Sequence, residues 1–437
     1  MSQKAWITPI PPVFKISMTS KEAPRLSFFE IIKNPRRFKK TRTEILMDAT
    51  LRFGDVVRLP NPFTRMYVAS HPNAVRRVLV DNAQNYRKGE EYKLLSKWIG
   101  NGLITTEGEF WASDRRLIQP LFHREIIQNF SEQITQSAQS LVNSWSKRVE
   151  KSDSDYFDIK ISEEMMRHSL VIIGWRLFGQ DISCSTDEIS GLMTQCQRYI
   201  TNRMLTIDFS HSRFRKNLQR LEVIIESYST KSIPGSVAEL LTLNGYDSRR
   251  KLDQLMGFIV AGHETTAMAL TWTLFLLSKH PEIQSRCRDH QEPEFIRAVV
   301  EESMRLYPPI PCISRRAIAD DELMGFRIPA GSKIIVPQHV THRRPDFWKN
   351  AEHFIPERFL PPERGEILPY TYFPFGMGSR ICIGQQMAML ECQITLSLLL
   401  KSFHFTPLPV PDPKPIALIS LRPDREVLLR ATQSGTP

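Results

Sequence analysis

The longest apolar pattern in the chain runs from Leu252 to Lys279, apolar on nearly every face and closed by Pro281, which predicts one long buried helix. Such a helix suits either a bilayer or the centre of a large core. Its middle argues for the core: Gly262-His263-Glu264-Thr265-Thr266 sets polar and ionisable groups inside the run and leaves no clean stretch of the roughly 18 residues that a span needs. A second helix is predicted from Phe295, stopped by Pro308-Pro309, and a third over Gln385-Gln386-Met387-Ala388-Met389-Leu390-Glu391, a run of strong helix formers. Strand-like runs lie at Val56–Leu59 and Met66–Ala69, which predict an N-terminal β region, and at Lys333–Val336, which predicts a second. Helical patterns dominate elsewhere, so the expected class is mainly α with small β sheets.

The chain has 437 residues without a Ser/Gly-rich linker, low-complexity tract or internal repeat, which predicts one large domain over 46–430. Formal net charge is +11, and residues 1–45 concentrate it, with ten Lys or Arg against three Glu. This predicts a basic N-terminal arm, either solvated or touching an anionic membrane surface weakly, and a polar tail over 431–437. No nucleic-acid recognition motif accompanies the charge, which excludes that class. Six cysteines, at 184, 196, 287, 312, 382 and 392, fall in no zinc or redox spacing, and the first residues hold no long apolar segment; a cytoplasmic protein with reduced thiols is expected.

One cysteine stands apart. Cys382 ends the run Phe375-Gly376-Met377-Gly378-Ser379-Arg380-Ile381-Cys382-Ile383-Gly384, just before the third helix. Gly378 and Gly384 would let the backbone turn tightly against a flat group, and the helix N-terminus would favour an anionic sulfur. A thiolate so presented is a ligand for iron. The pattern Phe375-x-x-Gly378-x-Arg380-x-Cys382-x-Gly384 resembles the haem-binding signature of the cytochrome P450 family. That resemblance implies haem b (iron protoporphyrin IX), Cys382 as its axial ligand, and the mainly α P450 fold.

The remaining motifs follow the family order. Ala261-Gly262-x-Glu264-Thr265-Thr266 resembles its oxygen-activation segment, which implies Gly262 as the residue opening room above the iron, Thr265 as a hydrogen-bonding hydroxyl and Glu264 as a proton relay. Thr266 reads as helix packing. Glu302-x-x-Arg305 puts opposite charges on one helix face, and with Arg358 of Pro356-Glu357-Arg358-Phe359 it implies a buried structural network. Trp111-x-x-x-Arg115 places an indole and a guanidinium on one face; the resemblance makes both haem-propionate ligands together with Arg380 and with Arg315, or Arg316 in its stead.

By the same resemblance the substrate pocket draws on Tyr92, Leu95, Ile99, Leu103, Phe258, Ala261, Ile310, Ile313 and Leu421, mostly apolar. Arg87 and Lys88 near its mouth read as solvated rather than as carboxylate ligands. The implied activity is insertion of one oxygen atom from O2 into a hydrophobic small molecule by hydroxylation or epoxidation. Trp111 to Phe122 looks most like lipid-hydroxylating relatives, so lipids, fatty acids and terpenoid-like molecules lead. No flavin or nicotinamide domain is recognisable, which implies electrons from a ferredoxin- or flavodoxin-type donor with its NAD(P)H reductase, steered by a basic patch around Arg115 and Arg116. The rival readings are a peroxide-using haem-thiolate enzyme and a non-catalytic haem-binding protein.

Overall fold

The structure, a computed structural model, describes residues 21–27, 41–152, 154–205 and 211–434. Its main helices are α1 (Arg42–Phe53), α2 (Glu90–Ile99), α3 (Gly108–Ile118), α4 (Ser131–Glu150), α5 (Ile161–Phe178), α6 (Thr186–Leu205), α7 (His211–Thr230), α8 (Ser248–Lys279), α9 (Pro281–His290), α10 (Pro293–Leu306) and α11 (Gln385–Ser402). The spine is α8. It begins four residues before the apolar pattern because Asp247 caps it, accepting the Arg250 N–H at 2.9 Å. It ends at His280, where Pro281 opens α9.

Two apolar clusters meet along this spine. One packs Trp145 of α4, Trp272 of α8, Phe295 of α10 and Leu396 of α11. The other joins residues of α2, α5, α6 and α7 to the first half of α8. Both need a helix that is apolar all round, which explains the pattern without a membrane. No helix among the described residues is long and apolar enough to cross one.

Among the described residues, four small sheets flank the helices. Strands β1 (Val56–Leu59), β2 (Met66–Ala69), β3 (Tyr86–Arg87), β5 (Ile313–Ala317) and β8 (Lys333–Val336) form one sheet in the order β1-β2-β8-β5-β3. The two predicted β regions are thus one sheet, joined where β2 runs parallel to β8 with Met66 opposite Lys333. Strands β4 (Tyr156–Lys160), β9 (Phe403–Pro407) and β12 (Leu428–Gln433) form a second sheet; β6 (Asp321–Leu323) pairs with β7 (Phe326–Ile328), and β10 (Pro415–Ala417) with β11 (Leu421–Pro423).

The ends differ from the expected boundaries. Leu26 N–H bonds Arg58 O at 3.0 Å and Lys21 bridges to Phe326, so residues 21–27 are part of the folded body, as is α1 from Arg42. The rest of the basic arm, 1–20 and 28–40, lies outside the described residues. At the other end β12 runs to Gln433, past the expected domain limit at 430, because it pairs with β4 and β9 on both sides.

Candidate functional site

The loop before α11 presents its cysteine from a tight frame. Cys382 N–H bonds Phe375 O at 2.9 Å, closing the loop, while Phe375 packs its ring against the core. Gly376 and Gly378 both have positive φ, +72° and +67°. A Cβ on Gly378 would sit 2.2 Å from Leu79 O, so this glycine is required by a close backbone approach rather than by a flat ligand. Gly384 has ordinary φ and caps α11; a Cβ there would touch Cys382 Sγ at 3.8 Å. The sulfur lies deep among protein atoms, yet the side chain is accessible, as is Ile381 before it. Burial pushes the Cys382 thiol up, and the N–H groups of Gly384 and Gln385 with the Arg115 guanidinium oppose that by favouring the thiolate.

Arg115 lies against the cysteine loop. Its Nη1 donates to Ile381 O and its Nε to Gln119 Oε1, each at 2.7 Å, so it braces the cysteine loop. Further cations gather beside it. Arg380 lies under the Trp111 ring at 4.3 Å, pairs with Glu107 at 3.3 Å, and keeps a buried Nη1 without a partner. Arg315 and Lys88 face it, and burial with these two arginines pulls the Lys88 ammonium down to about 7. Arg316 turns outward to Glu90 at 2.9 Å, which leaves Arg315 as the inward arginine. Lys88 is half-buried with its Nζ on Thr106 O at 2.6 Å, contrary to the solvated reading, whereas Arg87 is exposed. Three cations share one carboxylate here, so the cluster is short of anions.

On α8, His263, Glu264 and Thr266 are buried, whereas Ala261 is exposed and Thr265 half-buried. One turn apart, they share a face, and Thr265 Oγ1 donates to Ala261 O at 2.5 Å. Gly262 is off that face. A Cβ on it would meet Ile173 Cδ1 of α5 at 2.8 Å, so Gly262 serves the α5–α8 contact. Glu264 is buried and held by residues no sequence motif marked: Gln197 Nε2 donates to its Oε1 at 3.0 Å, and Ser420 and Arg422 donate to the same oxygen. Burial pushes this carboxyl up, but Arg422, Ser420 and Gln197 outweigh it and hold it below the usual range.

On α10, Arg305 Nε and Nη2 bond the two oxygens of Glu302 at 2.8 Å, with both side chains fully buried. Arg305 also donates to His342 O, Ala351 O and His353 O, and Arg358 Nε reaches Glu302 at 3.4 Å. Every donor of the pair is used, which makes the ions tolerable in the core.

Leu95, Ile99 and Phe258 share one apolar cluster, with Tyr92 and Leu103 at its edge. Ile310 is half-buried, and Ile313, the first residue of β5, packs against the apolar cluster that holds Tyr67 and Val336. Leu421 is fully buried, its backbone fixed by Pro309 O and by the Trp272 indole, so it borders no open space; Ile419 is the residue of that turn packed against the cluster.

Among the described residues no group of three or more His, Cys, Asp or Glu could hold a metal by side chains alone. A lone accessible thiolate therefore suits an iron that brings its own equatorial ligands, and the anion-short cluster suits a cofactor with carboxylates. Iron protoporphyrin IX fits both.

Comparison with known proteins agrees. The family model for cytochrome P450 matches residues 21–231 and 244–429. The probable cytochrome P450 4s3 of Drosophila melanogaster is 26% identical over 95% of this chain and 92% of its own. The cyclooctat-9-en-7-ol 5-monooxygenase of Streptomyces melanosporofaciens is 29% identical over 82% and 83%. The crystal structure of CYP175A1 from Thermus thermophilus superposes with a TM-score of 0.79 at 28% identity, covering 93% of this chain and 99% of that one. A cytochrome P450DA haem domain gives a TM-score of 0.83 at 20% identity, a likeness of fold. The chain belongs to the cytochrome P450 family, and is a haem-thiolate monooxygenase carrying haem b.

Proposed function

We propose that this monooxygenase oxidises an apolar small molecule of lipid, fatty-acid or terpenoid type, with electrons from a separate ferredoxin- or flavodoxin-type donor and its NAD(P)H reductase. The observation that carries the substrate class is the apolar wall of Tyr92, Leu95, Ile99, Leu103 and Phe258, which meets α8 just before the accessible Ala261. A wall of this kind selects by shape and by excluding water. The Streptomyces relative, named for a substrate called cyclooctat-9-en-7-ol, supports the same class.

The bound haem supplies O2 activation and transfer of one oxygen atom to a C–H or C=C bond. The chain supplies the rest. Cys382 ligates the iron, with the N–H groups of Gly384 and Gln385 and the Arg115 charge stabilising its thiolate. Arg380, Arg315 and Lys88 hold the carboxylates, with Trp111 covering Arg380. Thr265 offers its hydroxyl from the face it shares with Ala261, and Glu264 is the proton carrier. The six free cysteines suit a reducing cytoplasm. Arg116, exposed beside the braced loop of Arg115, gives an acidic donor protein a basic surface to approach.

Titration of the ferric holoenzyme with a panel of fatty acids, terpenoid alcohols and polar amino-acid derivatives tests the substrate class. Lipids and terpenoids are expected to drive the high-spin shift that marks loss of iron-bound water. A shift confined to the polar compounds would overturn it.

A further inference from the structure

Leu103 is held through both of its backbone polar groups. Its N–H donates to Gln254 Oε1 at 2.9 Å, and its carbonyl accepts from Lys88 Nζ at 3.3 Å. It stands in the loop 100–106 between α2 and α3, which is closed on itself: the N–H groups of Thr105 and Thr106 both bond Gly102 O at 3.0 Å, and Thr105 Oγ1 donates to Gly100 O at 2.7 Å. This loop lies directly on α8 near its start. Asn101 N–H donates to Asp253 Oδ2 at 2.8 Å, and a Cβ on Gly102 would stand 2.9 Å from Asp253 O and 3.1 Å from Gln254 Oε1.

The two neighbours on α8 face different ways. Asp253 pairs with the exposed Arg249 at 2.8 Å. Gln254 is buried and works inward: while Oε1 takes the Leu103 N–H, Nε2 donates to Asp114 Oδ2 of α3. Only one orientation of the amide serves both partners, because a backbone N–H needs an acceptor and a carboxylate needs a donor. Asp114, also buried, is anchored on its other oxygen by Tyr246 OH at 2.5 Å and Arg250 Nη2 at 2.6 Å. The next residue is Arg115, which braces the cysteine loop. One amide thus joins the pocket wall to the helix behind the haem seat, and without it the Leu103 N–H must move to find another acceptor.

We propose that Gln254 determines substrate shape selection: it latches Leu103 to α3, so that the pocket wall keeps a fixed distance from the haem and refuses bulk beyond that distance. Gln254 is a positioning residue that acts through Leu103. The inference rests on the reading of Leu103 as part of the apolar substrate wall.

The test titrates ferric holoenzyme with imidazole and with 4-phenylimidazole. Both ligate haem iron through nitrogen and only the second is large enough to meet a wall, so the ratio of their dissociation constants reads the wall's position apart from any choice of natural substrate. Gln254→Leu should change that ratio about fivefold or more, the size expected for a lost buried hydrogen bond, and in the same direction as Leu103→Ala. In the Leu103→Ala background the same substitution should add less than about twofold, because two residues acting through one contact are not additive. A ratio within about twofold of the parent in Gln254→Leu, while Leu103→Ala moves it, overturns the latch alone. A full effect that persists without the Leu103 side chain also overturns it, since Gln254 then acts by another route. A ratio that Leu103→Ala leaves unmoved overturns the wall reading and the latch with it. Should Gln254→Leu not fold, Gln254→Glu sets carboxylate against carboxylate and should shift the ratio, and Gln254→Glu with Asp114→Asn, which exchanges donor and acceptor, should restore it. A single variant that shifts nothing, or an exchange that restores nothing, overturns the latch.

Discussion

Gly262 of α8 lies against the side chain of Ile173 on α5, so closely that a Cβ on the glycine would stand 2.8 Å from Ile173 Cδ1. Gly262→Ala should therefore cost about 1–3 kcal/mol by overpacking. Thermal unfolding measures it, and the double variant Gly262→Ala with Ile173→Val, which removes the clashing Cδ1, should be less destabilised than the sum of the singles. A melting temperature unmoved by Gly262→Ala, together with lost turnover, would return Gly262 to the oxygen pocket.

That glycine also marks where the sequence stopped being informative. The cysteine signature, the long apolar run and the Glu302-x-x-Arg305 spacing are local patterns, and local patterns survive into structure because backbone geometry alone decides which side chains share a face. Partners from distant segments leave no such trace. Arg422 and Ser420 reach Glu264 across more than 150 positions, and Ile173 reaches Gly262 from a neighbouring helix whose own periodicity says nothing of it. Lys88 reads as a surface lysine until Arg315 and Arg380 are brought beside it. The choice between Arg315 and Arg316 rests on which face of β5 looks inward, and pairing with β8 and β3 sets that.

Glu302 and Arg305 are both fully buried, and removing one leaves the other charge unpaired. Glu302→Leu should lower stability by about 3–5 kcal/mol and cut haem incorporation. The double variant Glu302→Leu with Arg305→Met should be less destabilised than the sum of the singles, a non-additivity that denaturant titration reads directly.

Lys88 gives a pH signature. In the haem-free chain burial and two arginines hold its ammonium at about 7, below the ordinary lysine value, so above pH 7 it has lost a proton that a neighbouring carboxylate would restore. Haem binding should thus take up a proton above pH 7, and haem retention should weaken as pH rises from 7 toward 10.5, whereas below 7 the lysine is charged in both forms and the dependence vanishes. Lys88→Met should flatten that slope and speed haem loss to a scavenger about tenfold or more, as expected for a lost charge-assisted bond. A slope unchanged in the variant would remove Lys88 from the carboxylate site.

Thr265 bonds Ala261 O on the accessible face of α8. Thr265→Ala should lower the product formed per NADPH severalfold and raise peroxide release, while peroxide-driven turnover stays comparatively intact. Equal losses in both assays would favour the peroxide-using reading of this enzyme.

The thiolate of Cys382 carries the whole account, and its ligation has an optical signature. Reduced, carbon monoxide-bound holoenzyme should display the red-shifted Soret band of thiolate-ligated haem, and Cys382→His, which keeps an iron ligand at the same place, should move that band to the position of imidazole-ligated haem. A thiolate-type band that persists in Cys382→His would contradict it.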